Sequence, residues 1–323
     1  MKSKSEKRRS DFGDQLSFTF TFSGVEELEE AAQALGWGIE YRQISKGPFS
    51  AGFAVLEGEG ICLVSERFNQ HLHIPAHPPE GFIGFFLPRL DRGRAIAYGR
   101  DLTDGDLTVL PSRSAVSIVS RDEIRNESVF LPEAEFRASS RSLALSDELF
   151  TPGWVAILSG DPKRFTAIRH EIVSVHRTGV LDSETASNLL TRIILWMADA
   201  QSRSMDQRLS NGVATAIARR AQTFIEENFH DAIRLEDLCT FCGVGFRTLQ
   251  RCFTSHFQNS PINYIKVRRL NAARRDLVKA NPSRSSVTKI AMDNGFTHLG
   301  RFSVDYRMHF GESPRETLVG KTA

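Results

Sequence analysis

Apolar and polar residues alternate in short runs along the first half of the chain. Leu16, Phe18, Phe20 and Phe22 fall on one side of such a run, and Ser17, Thr19 and Thr21 on the other. This is the period of a half-buried strand. Residues 26–35 carry a helical pattern that Gly36 closes. Further runs at 39–44, 53–56, 61–65, 82–87, 95–98, 107–110, 116–119 and 128–131 predict strands. Turn residues such as Lys46-Gly47-Pro48, Glu57-Gly58-Glu59-Gly60 and Asp104-Gly105-Asp106 separate them. Many short strands at close spacing predict an antiparallel sandwich or barrel. After Ser146 the period becomes helical, over 159–177 and 183–202. In the second of these, Leu189, Leu190, Ile193, Ile194, Trp196 and Met197 make a wide apolar stripe. It either packs on its own domain or meets a twin, and its width beside a polar segment, 201–211, favours a homodimer.

The last hundred residues are helical by pattern and contain a repeat. Phe253, His256-Phe257 and Ser260-Pro261 recur as Tyr306, His309-Phe310 and Ser313-Pro314 at a constant offset of 53 residues. Each copy reads as helix, tight turn, helix. The first runs over 235–241, turns at Cys242-Gly243-Val244 and resumes over 246–256. The second runs over 287–293, turns at Asn294-Gly295-Phe296 and resumes over 298–309. A turn of this kind needs a positive backbone angle, which Gly243 and Gly295 supply. In such a unit the second helix enters the DNA major groove. Leu249, Phe253 and Phe257 mark the inward face of the first reading helix, leaving Arg247, Gln250 and Arg251 outward, where arginine suits guanine and glutamine suits adenine. Phe302 and Tyr306 do the same for the second, leaving His298, Arg301 and Asp305 outward. A linking helix over 264–280, with Lys266, Arg268, Arg269, Arg274, Arg275 and Lys279, spaces the two units about a DNA turn apart, ~34 Å. The DNA-contacting set is therefore Arg247, Thr248, Gln250, Arg251, His298 and Arg301, with Lys266 and Arg268 restricted to phosphate.

Charge agrees in distribution rather than in total. The 323 residues carry a net charge of only +2, but from Ala221 onward there are 15 Lys/Arg against 10 Asp/Glu. A basic end on a slightly acidic body points to a polyanion partner for that end alone. The basic start of the chain lacks the apolar core of a signal peptide, since Asp11 and Asp14 interrupt it. No run approaches the roughly 20 apolar residues of a membrane helix. Four cysteines fit a reducing cytoplasm without a disulfide framework. The expected location is the cytoplasm, on the nucleoid, with no membrane partner.

These residues resemble a family. Gly243-Val244, the run Arg247-Thr248-Leu249-Gln250-Arg251, Phe253, Ser260-Pro261, Gly295-Phe296, Arg301-Phe302 and Phe310-Gly311-Glu312-Ser313-Pro314 resemble the DNA-binding domain of the AraC/XylS transcription regulators. The likeness covers about a third of the chain. It implies binding to two successive major grooves of promoter DNA and recruitment of RNA polymerase, as an activator. Two positions depart from the pattern: Gly245 stands where the family usually has a capping Ser, and Gln258 where it usually has Gly. More loosely, residues 40–49 and 101–111 resemble the cupin-like sensory domain of regulators of the ethanolamine-utilisation type, which implies an unknown small-molecule effector. Trp37, Tyr41, Phe53, Phe85, Phe86 and Tyr98 are candidate pocket residues, with plain core as the alternative.

The fold class that follows is α+β with two domains: an N-terminal cupin-like antiparallel β-barrel followed by helices, then an all-α domain with two helix-turn-helix units. The expected bounds are a basic arm over 1–14, a sensory and dimerisation domain over 15–202, a linker over 203–220 and a DNA-binding domain over 221–323. The helix-turn-helix units fall at 238–259 and 290–312. No Ser/His/Asp setting, phosphate loop or paired acid motif points to an enzyme. His71, His73 and His77 lack a fourth ligand at metal spacing, and zinc at Cys239, Cys242, Cys252 and His256 conflicts with the repeat. No metal or cofactor is expected. The remaining alternative is a DNA-binding regulator whose N-terminal domain serves only for oligomerisation or protein contact.

Overall fold

The computed structural model describes residues 20–90, 94–97, 99–121, 123–141, 145, 155–203 and 213–320. The basic arm, the first part of the 16–22 run, Tyr98 and residues 204–212 of the expected linker lie outside this set. The N-terminal part runs β1 (Phe20–Phe22), α1 (Val25–Ala34), β2 (Gly38–Ile39), β3 (Arg42–Gln43), β4 (Ala51–Gly58), β5 (Ile61–Phe68), β6 (Leu72–His77) and β7 (Phe82–Arg89). It continues through β8 (Arg94–Ala97), β9 (Arg100–Asp101), β10 (Asp106–Leu110), β11 (Val116–Arg121), β12 (Ile124–Pro132), α2 (Glu133–Arg141), β13 (Ala156–Ser159), α3 (Pro162–Thr178) and α4 (Ser183–Arg203). Pairing is antiparallel throughout these strands. One sheet has the order β1-β4-β5-β12-β7-β10-β13, and the other has β2-β6-β11-β8-β9 with β3 also on β6. Strand β6 escapes the sequence pattern because Pro75 interrupts it, although Pro75 sits in register with Ser117 of β11.

Strand alternation sorts the residues into layers. On the first sheet Leu63, Phe85, Leu87, Val109, Val129 and Leu158 face one way and join a core with α2, α3 and α4. Their neighbours Val64, Phe86, Leu110, Phe130 and Ile157 face the other way, into the space between the sheets. The apolar stripe of α4 belongs to the first core: Leu189, Ile193, Ile194 and Met197 are buried there, and Trp196 packs on Phe165 at 5.4 Å and donates to the Asp161 carbonyl at 3.2 Å. Most of the stripe expected to meet a twin is thus covered within one chain, leaving Leu190 half-buried and Leu195 exposed. Helix α3 starts later than its pattern suggested. Asp161 caps it by accepting from the Lys163 amide, Pro162 takes the first turn, and the preceding residues pair as β13 on β10.

The C-terminal part comprises α5 (Val213–Asn228), α6 (Leu235–Cys242), α7 (Phe246–Phe257), α8 (Pro261–Lys279), α9 (Val287–Asp293), α10 (Leu299–Phe310) and α11 (Pro314–Val319). Residues 213–220, assigned to the linker from sequence, are the first half of α5. Its face Ile217, Ala218, Ala221 and Ile225 is buried against the first helix-turn-helix unit. Two cores result, one around Leu249, Phe253 and Phe257 and one around Leu270, Phe302 and Tyr306. The first core also takes in Ile96 and Val119 from the outer face of the second sheet. The molecule is thus a stack: helices, sheet, sheet, helices. No helix among the described residues is long and apolar enough to cross a membrane.

Candidate nucleic-acid interface

Helix α7 begins at Gly245, whose lack of a side chain leaves the first turn without a side-chain cap. Gly243 ends α6 at φ 68° and Gly295 follows α9 at φ 78°, the left-handed angles the turns require. Leu249, Phe253 and Phe257 are buried, and this fixes the rotation of α7. Arg247 and Arg251 are consequently exposed one turn apart on its other side, with Thr248 and Gln250 half-buried beside them. Neither arginine has an ion-pair partner among the described residues, so both are available to base edges. In the second unit His298 caps α10 and is exposed, as is Arg301, whose Nε lies 3.6 Å from Asp305.

The basic linking helix does something its sequence does not suggest. Lys266 pairs with Asp305 at 2.8 Å, tying α8 to the second reading helix. Arg268 is mostly buried: it donates to Glu226 at 2.7 Å, and its guanidinium lies 3.9 Å from the centre of the Phe229 ring. Its expected contact with phosphate is overturned, because the helical period turns position 268 toward α5. Arg274 pairs with Glu26 at 3.1 Å and Glu312 at 2.7 Å, and Arg275 pairs with Glu29 at 3.1 Å and with Glu40. Both arginines thus engage carboxylates of the N-terminal domain, and Arg274 also holds Glu312 of its own domain.

The short segment 40–43 is where the two halves meet. Arg42 pairs with Glu40 and Glu226 and donates to the Tyr264 hydroxyl at 3.2 Å. The Gln43 amide donates to Asn271 Oδ1 at 3.0 Å, and Asn271 Nδ2 returns a bond to the Gln43 carbonyl at 2.9 Å. Gln43 Nε2 also donates to the His309 carbonyl at 3.0 Å, and His309 Nε2 donates to the Gln43 carbonyl at 2.9 Å. One strand end therefore grips α5, α8 and α10 together. Nearby, His73 is buried between the domains, 3.2 Å from the Tyr264 hydroxyl through Nδ1 and 2.8 Å from Ser117 through Nε2. Burial holds His73 well below the usual histidine range, with Arg42 adding to the effect. Burial likewise lowers His256 and His309 to about 4. Among the described residues no group of His, Cys, Asp and Glu is arranged to hold a metal.

The aromatic pocket candidates separate. Phe86 lines an inter-sheet cavity of about 40 Å³, together with Phe68, Ile74, Ile118, Glu66, Asn126 and Thr108 among others. Tyr41 reaches this cavity indirectly, by donating to Glu66 at 3.0 Å. Trp37 and Phe53 belong to the inter-sheet core, Trp37 tilted on Phe130 at 3.9 Å. Phe85 is corrected: alternation along β7 points it to the opposite face, against Phe136 at 4.8 Å. Sequence reasoning missed Glu66, Thr108, Gln43, Asn271 and Tyr264. Polar residues within apolar strands at 66, 108 and 126 were the available signal.

Residues 238–319 match the family profile described as "Helix-turn-helix domain". The C-terminal third is a helix-turn-helix domain. The helix-turn-helix domain is similar to that of the XylDLEGF operon transcriptional activator 2 of Pseudomonas putida, with 41% identity over 99 residues, 31% of this chain and 63% of the relative. It is also similar to that of the HTH-type transcriptional activator RhaS of Escherichia fergusonii, with 35% identity over 100 residues, 31% of this chain and 35% of that one. A solved probable AraC family transcriptional regulator from Rhodopseudomonas palustris is 33% identical, covering 32% of this chain and 95% of its own, with a TM-score of 0.30. The chain spans just under two thirds of the first of these relatives and about a third of the second. What they share with it is a DNA-binding domain of transcription regulators.

Proposed function

We propose that this chain is a transcription activator of the AraC/XylS type, acting in the cytoplasm on promoter DNA and engaging RNA polymerase. Its cupin-like N-terminal domain responds to a small-molecule effector. The observation that carries the DNA-reading assignment is the pair of exposed arginines, Arg247 and Arg251, standing on α7 opposite a fully buried Leu249, Phe253 and Phe257. Thr248 and Gln250 flank them, and His298 and Arg301 repeat the arrangement on α10. The cavity between the sheets and the contacts of segment 40–43 on both helix-turn-helix units support the effector response. The test is a comparison of Arg251→Ala and Arg268→Ala on the bound site and on each of its single-base variants. Arg251→Ala is expected to cost about 1–3 kcal/mol and to relax preference at one base pair. Arg268→Ala is expected to lower the melting temperature and leave base preference intact, since it opens a buried ion pair. An even loss across all variants for Arg251→Ala overturns the reading face.

A further inference from the structure

The cavity between the sheets is lined mostly by apolar side chains, with a small polar patch on one wall. Glu66 is buried there, one carboxylate oxygen accepting from the Tyr41 hydroxyl at 3.0 Å and the other from Asn126 Nδ2 at 3.3 Å. Thr108 faces the same space from β10, fully buried, and its Oγ1 has no hydrogen-bond partner. A buried hydroxyl without a partner is unfavourable, so this site is completed by a group that brings one. The described lining contains no Lys, Arg or His. We propose, resting on the effector-responsive reading above, that this cavity is the effector site and takes a small, largely apolar molecule bearing a hydroxyl or amino group, and that it rejects carboxylates.

The chemistry follows from the two polar groups. A ligand hydroxyl donates to the Glu66 carboxylate and accepts from Thr108; an ammonium donates to both. A carboxylate instead meets the Glu66 charge in a low-dielectric space with no cation to offset it. Burial pushes the Glu66 carboxyl up to about 6, so it is still mostly ionised at neutral pH. The volume restricts the resting cavity to a compact molecule.

Occupancy has a short way out. Tyr41 touches Glu66 with its hydroxyl, while its backbone amide donates to Glu29 at 3.2 Å and its carbonyl accepts from Arg275 at 3.4 Å. The next two residues, Arg42 and Gln43, hold Glu226, Tyr264, Asn271 and His309. A ligand donor that takes a share of the Glu66 carboxylate re-aims the Tyr41 hydroxyl, and the strand end it anchors touches both helix-turn-helix units.

Thermal unfolding of the full chain tests this with two carbon frames, each offered at tens of millimolar. One set is methanol, methylamine and formate; the other is ethanol, ethylamine and acetate. The alcohols and amines are expected to raise the melting temperature by mass action and the carboxylates to leave it unchanged at pH 7. Thr108→Val is expected to abolish the rise; Glu66→Gln is expected to abolish it for the amines, which lose the opposite charge, while the glutamine carbonyl still accepts from an alcohol. Tyr41→Phe is expected to keep the rise while the probe no longer alters DNA affinity. A carboxylate that stabilises as well as its alcohol overturns the ligand class and leaves the effector reading standing. No rise with any probe, or a rise that survives in both cavity variants, overturns the site. The effector reading itself is then judged separately, by whether a low-molecular-mass cell extract changes the DNA affinity of the full chain.

Discussion

Gln258 ends the first reading helix at φ 53°, a left-handed conformation. Fifty-three residues later Gly311 ends the second in the same way at φ 80°. An L-residue with a Cβ is strained there by about 1–2 kcal/mol. Gln258 recovers part of that through Nε2, which donates to the Ser255 carbonyl at 3.1 Å. Glycine relieves the strain and loses more chain entropy on folding, about 0.5–1 kcal/mol. Gln258→Gly is accordingly expected to stabilise the chain by about 0.5 kcal/mol in chemical denaturation; a loss shows that the Ser255 bond outweighs the strain. This departure was visible in the sequence because the family resemblance supplies a control, with Gly at that position. Arg268 had no such control. Its partners Glu226 and Phe229 come from about 40 residues earlier, and a helix basic on several sides does not announce which side will be covered.

Helix α4 shows how far periodicity reaches. The spacing of Leu189, Ile193, Trp196 and Met197 fixes a helix and its apolar face, and both are present. What covers the face is a long-range matter, settled by β13 and α3; the strand at 156–159 was not read from the sequence and meets the expected α3 only at Ser159. Trp196→Ala removes a fully buried indole and its bond to Asp161, so a loss of about 3–5 kcal/mol is expected. Sedimentation is expected to give the same mass for this variant as for the parent chain, because the indole packs inside one protomer. A drop in mass supports the dimer role of the stripe. Strand β6 was illegible for a different reason: Pro75 breaks its alternation and its pairing partners lie far along the chain, whereas β3 falls inside the expected 39–44 run.

In the whole molecule, the docked arrangement rests on histidines kept neutral. His309 and His256, both about 4 in the folded chain against an ordinary 6.5, bind fewer protons folded than unfolded between those values. Stability of the folded, docked chain therefore rises with pH across that window and is lost as pH falls from about 6.5 toward 4, by at most about 3 kcal/mol for each histidine. His73 acts in the same sense. Lys46, Lys266 and Arg274 face His309 and add to the effect, while the buried Glu29, raised above the usual carboxylate range by burial, opposes it. Hydrogen exchange at the Gln43 amide is expected to quicken as pH falls through this window, after correction for intrinsic rates, and less so in His309→Gln. An unchanged protection factor from pH 6.5 to 4 refutes it. The two-part plan and the buried and exposed faces of α7 were legible from local pattern; the interface was not, since it is made of polar residues whose partners lie hundreds of positions away.

The second sheet leaves one more consequence. Along β6, β11 and β8, the residues His73, Val119 and Ile96 sit side by side in register and face the reading helices. Their immediate neighbours Ile74, Ile118 and Ala95 face the cavity. Two jobs are thereby written on alternate letters of the same strands. Under the effector role proposed above, substitution at one set of letters changes what the cavity takes while the other set keeps the contact with the helix-turn-helix domain. Ligand specificity and transmission then become separately heritable traits.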